Sequence, residues 1–201
     1  MTVPNQSLGK VLATSNLFSV DGCSGEIEQQ INAARKSKNL KPLKCDKGLN
    51  YVARYHTWDQ NTYYNKGGSY NNNCNMHSWQ SKSNKYNECC YSSNHGNPNC
   101  MWKKPEQILG KHLCKYINAL YGLVLKKNCT YFSGQKAKGQ YGFEISYMTS
   151  GKVSAENALN GWKRSKAHSN IIFSRGIWKK FGLTKMGCFY KNHFANCWFA
   201  Q

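Results

Sequence analysis

The sequence is poor in acid. Nine Asp and Glu residues stand against 28 Lys and Arg, a formal charge of +19 over 201 residues. Such an imbalance draws polyanions over long range, whether nucleic acid, acidic polysaccharide or an anionic membrane surface. The plainer reading is solubility together with a lysine-rich codon bias, in keeping with the excess of Asn, Lys and Tyr. No nucleic-acid recognition motif is present, so only non-specific affinity for nucleic acid follows from the charge. No run of about 18 apolar residues occurs, which excludes a transmembrane segment. Residues 1–22 lack the apolar stretch of a signal peptide, so secretion would imply a mature form with an added or retained Met1. The zinc spacing Cys-x-x-Cys is missing. There is no internal repeat and no Gly-x-Ser-x-Gly nucleophile elbow.

Cysteine is abundant instead. Ten are spread along the chain, two of them adjacent at Cys89 and Cys90, and this pattern reads as a disulfide framework formed in an oxidising compartment. One bridge follows from register. A hairpin turning at Asn192-His193 pairs Lys191 with Phe194 and sets Cys188 opposite Cys197, a non-hydrogen-bonded pair with Cα atoms about 4.5 Å apart, within disulfide reach. Cys114 and Cys129 are expected to clasp the segment between them, a closure worth about 3 kcal/mol in the entropic account. Cys23, Cys45, Cys74, Cys89, Cys90 and Cys100 are left with fifteen possible pairings. Asn5-Gln6-Ser7 and Asn128-Cys129-Thr130 match the N-glycosylation acceptor, which matters only in a eukaryotic host.

Residues 1–22 read as an N-terminal extension and 23–201 as a single domain, with 106–139 as an insertion. A helix is expected from Gly25 to Lys38, with Glu26 and Glu28 in its first turn and Lys36 and Lys38 in its last. A second runs from an Asp46 cap to about Gln60, with Leu49, Val52, Ala53 and His56 on one face. From Asn61 to Pro105 the chain reads as a long irregular loop held by disulfides, and Pro105-Glu106 could open a short helix. Gln140–Tyr147 alternates as a strand, Ser154 caps a helix bearing Ala155, Ala158, Leu159 and Trp162, and strands Leu183–Tyr190 and Phe194–Ala200 close the chain. Helices and antiparallel strands segregate, so the class is α+β in a layered sandwich.

Several short motifs follow one another in order. They are Asn32-x-x-Arg35 with Leu40-x-Pro42-Leu43, Cys74-Asn75-Met76-His77-Ser78-Trp79, Gly142-Phe143-Glu144-Ile145, Trp162-x-x-Ser165-x-x-His168, and Gly187-Cys188 with Cys197-Trp198-Phe199. Their order resembles the CAP superfamily (SCP/TAPS proteins), and Cys89-Cys90-Tyr91 and Cys100-Met101-Trp102 are similar to motifs of a bacterial-type branch of secreted CAP domains. The resemblance implies a three-layer α-β-α sandwich with a central, mostly antiparallel sheet. It also implies a cleft where two His and two acids converge. Residue by residue these positions are His77, Glu144, Ser165 and His168, with serine where the family's second acid stands. That departure weakens any mechanism needing two carboxylates and leaves the histidine pair intact.

Beside the resemblance stands the chemistry. Two neutral imidazoles, His77 and His168, can ligate Zn²⁺ or another divalent metal and leave positions open for water. Glu144 could orient one ring or accept a proton as general base; it could equally bond loop amides as a structural acid. Ser78 and Ser165 could add hydroxyls. His168 follows a helix end, where imidazolium suits the dipole. His56, on an apolar helix face, reads as a satisfied core histidine, and His95, His112 and His193 receive no role. The leading expectation is a secreted domain acting by binding a protein, lipid or surface ligand. The alternatives are a metal-assisted hydrolase using the same cleft and a cationic adhesion protein binding polyanions or polysaccharide.

Overall fold

The C-terminal hairpin sets the frame on which the other elements lie. In the computed structural model, which describes residues 25–64, 73–80, 86–92, 94, 96–105, 107–109 and 142–201, strands β3 (Lys185–Lys191) and β4 (Phe194–Ala200) pair antiparallel. Lys191 faces Phe194 and Cys188 faces Cys197. Asn192 adopts φ 54°, the left-handed geometry that a two-residue hairpin turn demands. The expected Cys188–Cys197 disulfide forms, with Cα atoms 4.1 Å apart. Strand β2 (Phe143–Met148) runs antiparallel along the other edge of β4, and the two-residue β1 (Lys44–Cys45) joins β3 in parallel. The order β1-β3-β4-β2 makes a mixed, mostly antiparallel sheet.

Alternation along the strands divides the interior in two. Ile145, Met186, Cys188, Cys197 and Phe199 turn to one face and pack with Ile27 and Ile31 of α1 (Glu26–Lys36), Ala158, Leu159 and Trp162 of α4 (Ala155–Arg164), and Ile171 and Ile172 of α5 (Lys166–Ile172). Trp198 turns to the other face and packs with Leu49, Val52 and Ala53 of α2 (Lys47–Tyr63), together with Trp79, Tyr86 and Cys100. The result is the expected α-β-α sandwich. Two short helices, α3 (Asn99–Trp102) and α6 (Trp178–Phe181), complete the described elements.

Close contact between α2 and the sheet depends on Gly187. A Cβ there would sit 2.1 Å from the Asn50 amide nitrogen and 2.4 Å from the Leu49 carbonyl carbon, so any other residue would push the helix away. Local signals fix the helix starts. Asp46 accepts from the Leu49 amide at 3.0 Å, and Ser154 and Asn157 exchange side-chain bonds to each other's amides in a capping box.

The Asn-x-x-Arg and Leu-x-Pro-Leu elements are a structural clasp. The Asn32 amide side chain donates to the Leu43 carbonyl and accepts from the Leu43 amide, both at 2.9 Å. It thereby pins α1 to the segment leading into β1. Arg35 is buried. Its Nε donates to the Lys41 carbonyl and its Nη1 to the carbonyl of Ile172 at the C-terminal end of α5, where a cation meets the helix dipole favourably. Burial holds this guanidinium's pKa below its ordinary value.

Four elements were not expected: β1, α3, α5 and α6. The sequence reads as one helix capped by Ser154 and bearing Trp162, but Ser165 has extended backbone (φ −82°, ψ 119°) and serves as both C-cap of α4 and N-cap of a second helix, α5. The expected loop from Asn61 begins later, because α2 continues to Tyr63. Its described part is cross-linked by Cys74–Cys90 and Cys89–Cys100 and carries backbone bridges Cys74–Ser92 and Trp79–Cys89. Cys45 is also disulfide-bonded. Helical backbone does appear around Pro105, at 104–105 and 107–109. The expected extension 1–22, the Cys114–Cys129 bridge, both glycosylation acceptors and, apart from 107–109, the 106–139 insertion lie outside the described residues.

Replacing Asn32 with Ala would remove both of its bonds to Leu43. We expect a loss of about 1–3 kcal/mol, from two hydrogen bonds at about 0.5–1.5 kcal/mol each, read as a lower urea midpoint. A change within about 0.5 kcal/mol, the size of an ordinary surface substitution, would mean that the clasp contributes nothing.

Candidate functional site

An amphipathic strand ordinarily shows its polar face to water, but the polar face of β2 lies under α2. Glu144 and Ser146 are therefore buried, at 1% and 3% exposure. An unpaired carboxylate in that position would cost several kcal/mol. Glu144 instead meets three donors. Oε1 receives His56 Nδ1 and the Ser146 hydroxyl (3.0 Å), and Oε2 receives His77 Nδ1 at 3.1 Å.

His56 is the departure from expectation. It is buried and its nitrogens are satisfied, as a core histidine should be, yet its partner is the site acid. Its Nε2–H donates to the Ser78 carbonyl at 3.0 Å, while Nδ1 faces Glu144. Both nitrogens thus face oxygen acceptors, so with Glu144 ionised the ring holds both protons and forms a buried imidazolium–carboxylate pair. Trp79 stacks on it, rings 4.0 Å apart and 8° from parallel. A signal did exist: an imidazole on a fully apolar helix stripe needs a partner for each nitrogen, and an acid on the covering strand can supply one.

The polar contacts continue behind Glu144. The Ser146 hydroxyl also meets Asn196 Oδ1, and Asn196 Nδ2 donates to Thr57 Oγ1 (2.8 Å) and Gln60 Oε1 (2.7 Å). Gln60 Nε2 then donates to the Met76 carbonyl at 2.7 Å, next to His77. A closed ring of buried bonds joins α2, β2, β4 and the His77 loop.

That loop is set by short-range chemistry. The Asn75 side chain accepts from the His77 amide at 2.9 Å, an Asx turn. Trp79 exchanges two backbone bonds with Cys89, and its indole N–H donates to the Cys100 carbonyl at 3.1 Å. The Ser78 hydroxyl is taken up by the Tyr91 backbone, so it braces the loop. Lys104, also buried, lies over the Trp79 ring at 5.3 Å and donates to the Asn87 carbonyl and Gln107 Oε1. Burial lowers its pKa to about 8 against the opposing pull of Asp59. Nothing in the sequence singled it out.

Electrostatics ties in His168. Burial drives the Glu144 carboxyl upward, but the charges and hydrogen bonds of His56 and His77 outweigh it and hold the pKa at about 2. Burial and then the Glu144 charge push Tyr91 up. His168 falls to about 4, through burial first and the charge of His77 second, with Glu144 pulling the other way. His168 is thus influenced by both His77 and Glu144. The helix argument for His168 needs correction. The ring sits in the first turn of α5, the positive end of the dipole, so imidazolium is disfavoured there. Ser165 caps that turn, its hydroxyl accepting from the His168 amide at 3.4 Å. His193 bonds the Gly151 carbonyl at the hairpin, and His95 and His112 lie outside the described residues.

His77 commits Nδ1 to Glu144 and has Nε2 left to offer a metal ion, and His168 is neutral near pH 7 and can offer a ring nitrogen as well. No group of three or more His, Cys, Asp or Glu side chains arranged to hold one is found among the described residues.

The sequence matches the family model CAP, the cysteine-rich secretory protein family, over residues 29–199. The chain belongs to the CAP family. No curated protein matches it in sequence. Among solved structures it is similar to an outer surface protein from Borrelia burgdorferi, at 13% identity and a TM-score of 0.45, over 87% of this chain and 89% of that one. The motifs of this CAP domain have separate roles. Asn32 and Arg35 clasp the helical layer, while His56, His77 and Glu144 form a bonded cluster.

Both shifted groups make the domain acid-sensitive. His168 would ordinarily titrate at 6.5 and does so at about 4 when folded, so the unfolded chain gains protons first and stability falls as pH drops between those values. Glu144, depressed from 4.5 to about 2, stabilises above that range and loses its contribution as pH falls through it. Denaturant midpoints should therefore decline from pH 6.5 downward. The His168 ring should titrate near 4 by NMR and rise in His77→Gln. A midpoint near 6.5 would place His168 in open solvent, away from the cluster.

Proposed function

We propose that this CAP domain is secreted and acts by binding, with His77 and His168 as the ligand-facing groups and Glu144 as the residue that orients them. The observation carrying this reading is the 3.1 Å bond from His77 Nδ1 to a carboxylate with no solvent exposure. A ring fixed in this way by a carboxylate presents its other nitrogen in a defined direction, the usual support for a histidine that contacts a metal. A bound divalent ion such as Zn²⁺ would add Lewis acidity and open coordination positions for an oxygen or nitrogen ligand. His77 Nε2 and His168 would hold it, and Glu144 would remain behind them.

The same geometry speaks for binding over hydrolysis. Glu144 is enclosed, its oxygens already take three donors, and its pKa of about 2 makes it a weak base near neutral pH. Serine at position 165 supplies no second carboxylate, and catalytic zinc ordinarily has three protein ligands. Secretion accords with the three disulfides paired among the described residues. No described helix is long and apolar enough to cross a membrane.

Calorimetric titration with Zn²⁺ at pH 7 tests the site. We expect one ion per chain, and loss of binding in the His77→Ala, His168→Ala double variant. Glu144→Gln should weaken binding by about 10–100-fold, the usual effect of removing an outer partner. Binding of equal strength in the double variant would remove the histidines from the function.

A further inference from the structure

A separate feature lies on the surface where β2 begins. Phe143 meets Trp178 and Phe181 of α6 edge-on, with ring centroids 4.6 and 5.0 Å apart, and Trp102 of α3 at 6.3 Å. These rings form one patch, and it faces outward: Ile177 is 68% exposed, Trp102 41% and Phe181 37%. Single exposed apolar side chains are commonplace, but a contiguous aromatic and aliphatic patch marks an interaction site. The turn is fixed in place, with Gly182 in the left-handed region at φ 59° and Gln201 donating to the Phe181 carbonyl.

The exposed charged side chains adjoining the patch rings in sequence among the described residues are lysines. From Asn157 to Gln201 the chain carries eight Lys and Arg residues and no Asp or Glu. Lys179 and Lys180 lie exposed on α6 itself, and exposed Lys103 follows Trp102. Tryptophan, phenylalanine and isoleucine set among lysines is the composition that settles at a membrane–water boundary, the apolar groups entering beneath the headgroups and the ammonium groups remaining at the phosphates. An acidic polysaccharide would satisfy the lysines but offers no hydrocarbon for Ile177.

We propose that this aromatic and basic surface docks the domain on an anionic phospholipid bilayer, with Ile177 and Phe181 inserted and Lys179 and Lys180 at the phosphates. The site is independent of His77 and His168, and lies beyond the binding role argued for them.

The full chain is tested by cosedimentation with phosphatidylcholine vesicles, with and without a third of phosphatidylglycerol, while tryptophan emission is recorded. Binding should require the anionic lipid, shift the emission to the blue and fade in high salt. Lys179→Glu with Lys180→Glu should lower partitioning on the order of tenfold or more, and Ile177→Asp on the order of tenfold. Both sites are exposed, and an unchanged thermal midpoint checks that the variants fold. Undiminished vesicle binding by Ile177→Asp would overturn the proposal, and so would retention on heparin without any vesicle binding, which would assign the charge to a polysaccharide.

Discussion

Glu144 is an ionised group placed where water does not reach, and most of the molecule's polar organisation answers to it. An enclosed carboxylate is tolerable only when its donors are held in position, and each donor comes from a different part of the chain. His56 arrives from α2, which must lie flat on β3 and can do so because residue 187 is glycine. His77 arrives from a cross-linked loop, and Ser146 from the same strand two residues on. Loss of any one support would leave the charge partly unmatched, so folding and the shape of the site rest on the same side chains.

The three histidines around this acid differ in kind. His56 is enclosed between an indole and a carboxylate and bonds at both nitrogens. His77 is mostly buried, with one nitrogen committed and one available. His168 is half-buried and kept neutral by its surroundings. From the interior outward, a ring bonded at both nitrogens gives way to one bonded at a single nitrogen and then to one kept neutral by burial. Serine at 165, capping α5, keeps that edge free of a second negative charge.

Much of this was legible in the sequence where local physics decides. The hairpin register, the Cys188–Cys197 bridge, the caps at Asp46 and Ser154 and the alternation in β2 all follow from neighbours within a few residues. The likeness to the CAP pattern pointed to His77, Glu144 and His168, and the first two are bonded to each other. What stayed hidden depends on distant contacts. The two-residue β1 is defined by β3, more than a hundred residues away. The bond from His56 to Glu144 spans 88 positions, and Asn32 and Arg35 showed as a motif without showing what they hold. Lys104 reads as one lysine among many until its ammonium is found over Trp79.

Cys89 and Cys90 are neighbours whose bonds run to opposite ends of the loop, one to Cys100 and one to Cys74. Adjacent thiols are nearly equivalent to an oxidant, so the linkage with the two partners exchanged is the competing outcome of oxidation. Maturation of the domain is therefore a pairing problem as well as a folding one, since each of these neighbours must find its own partner.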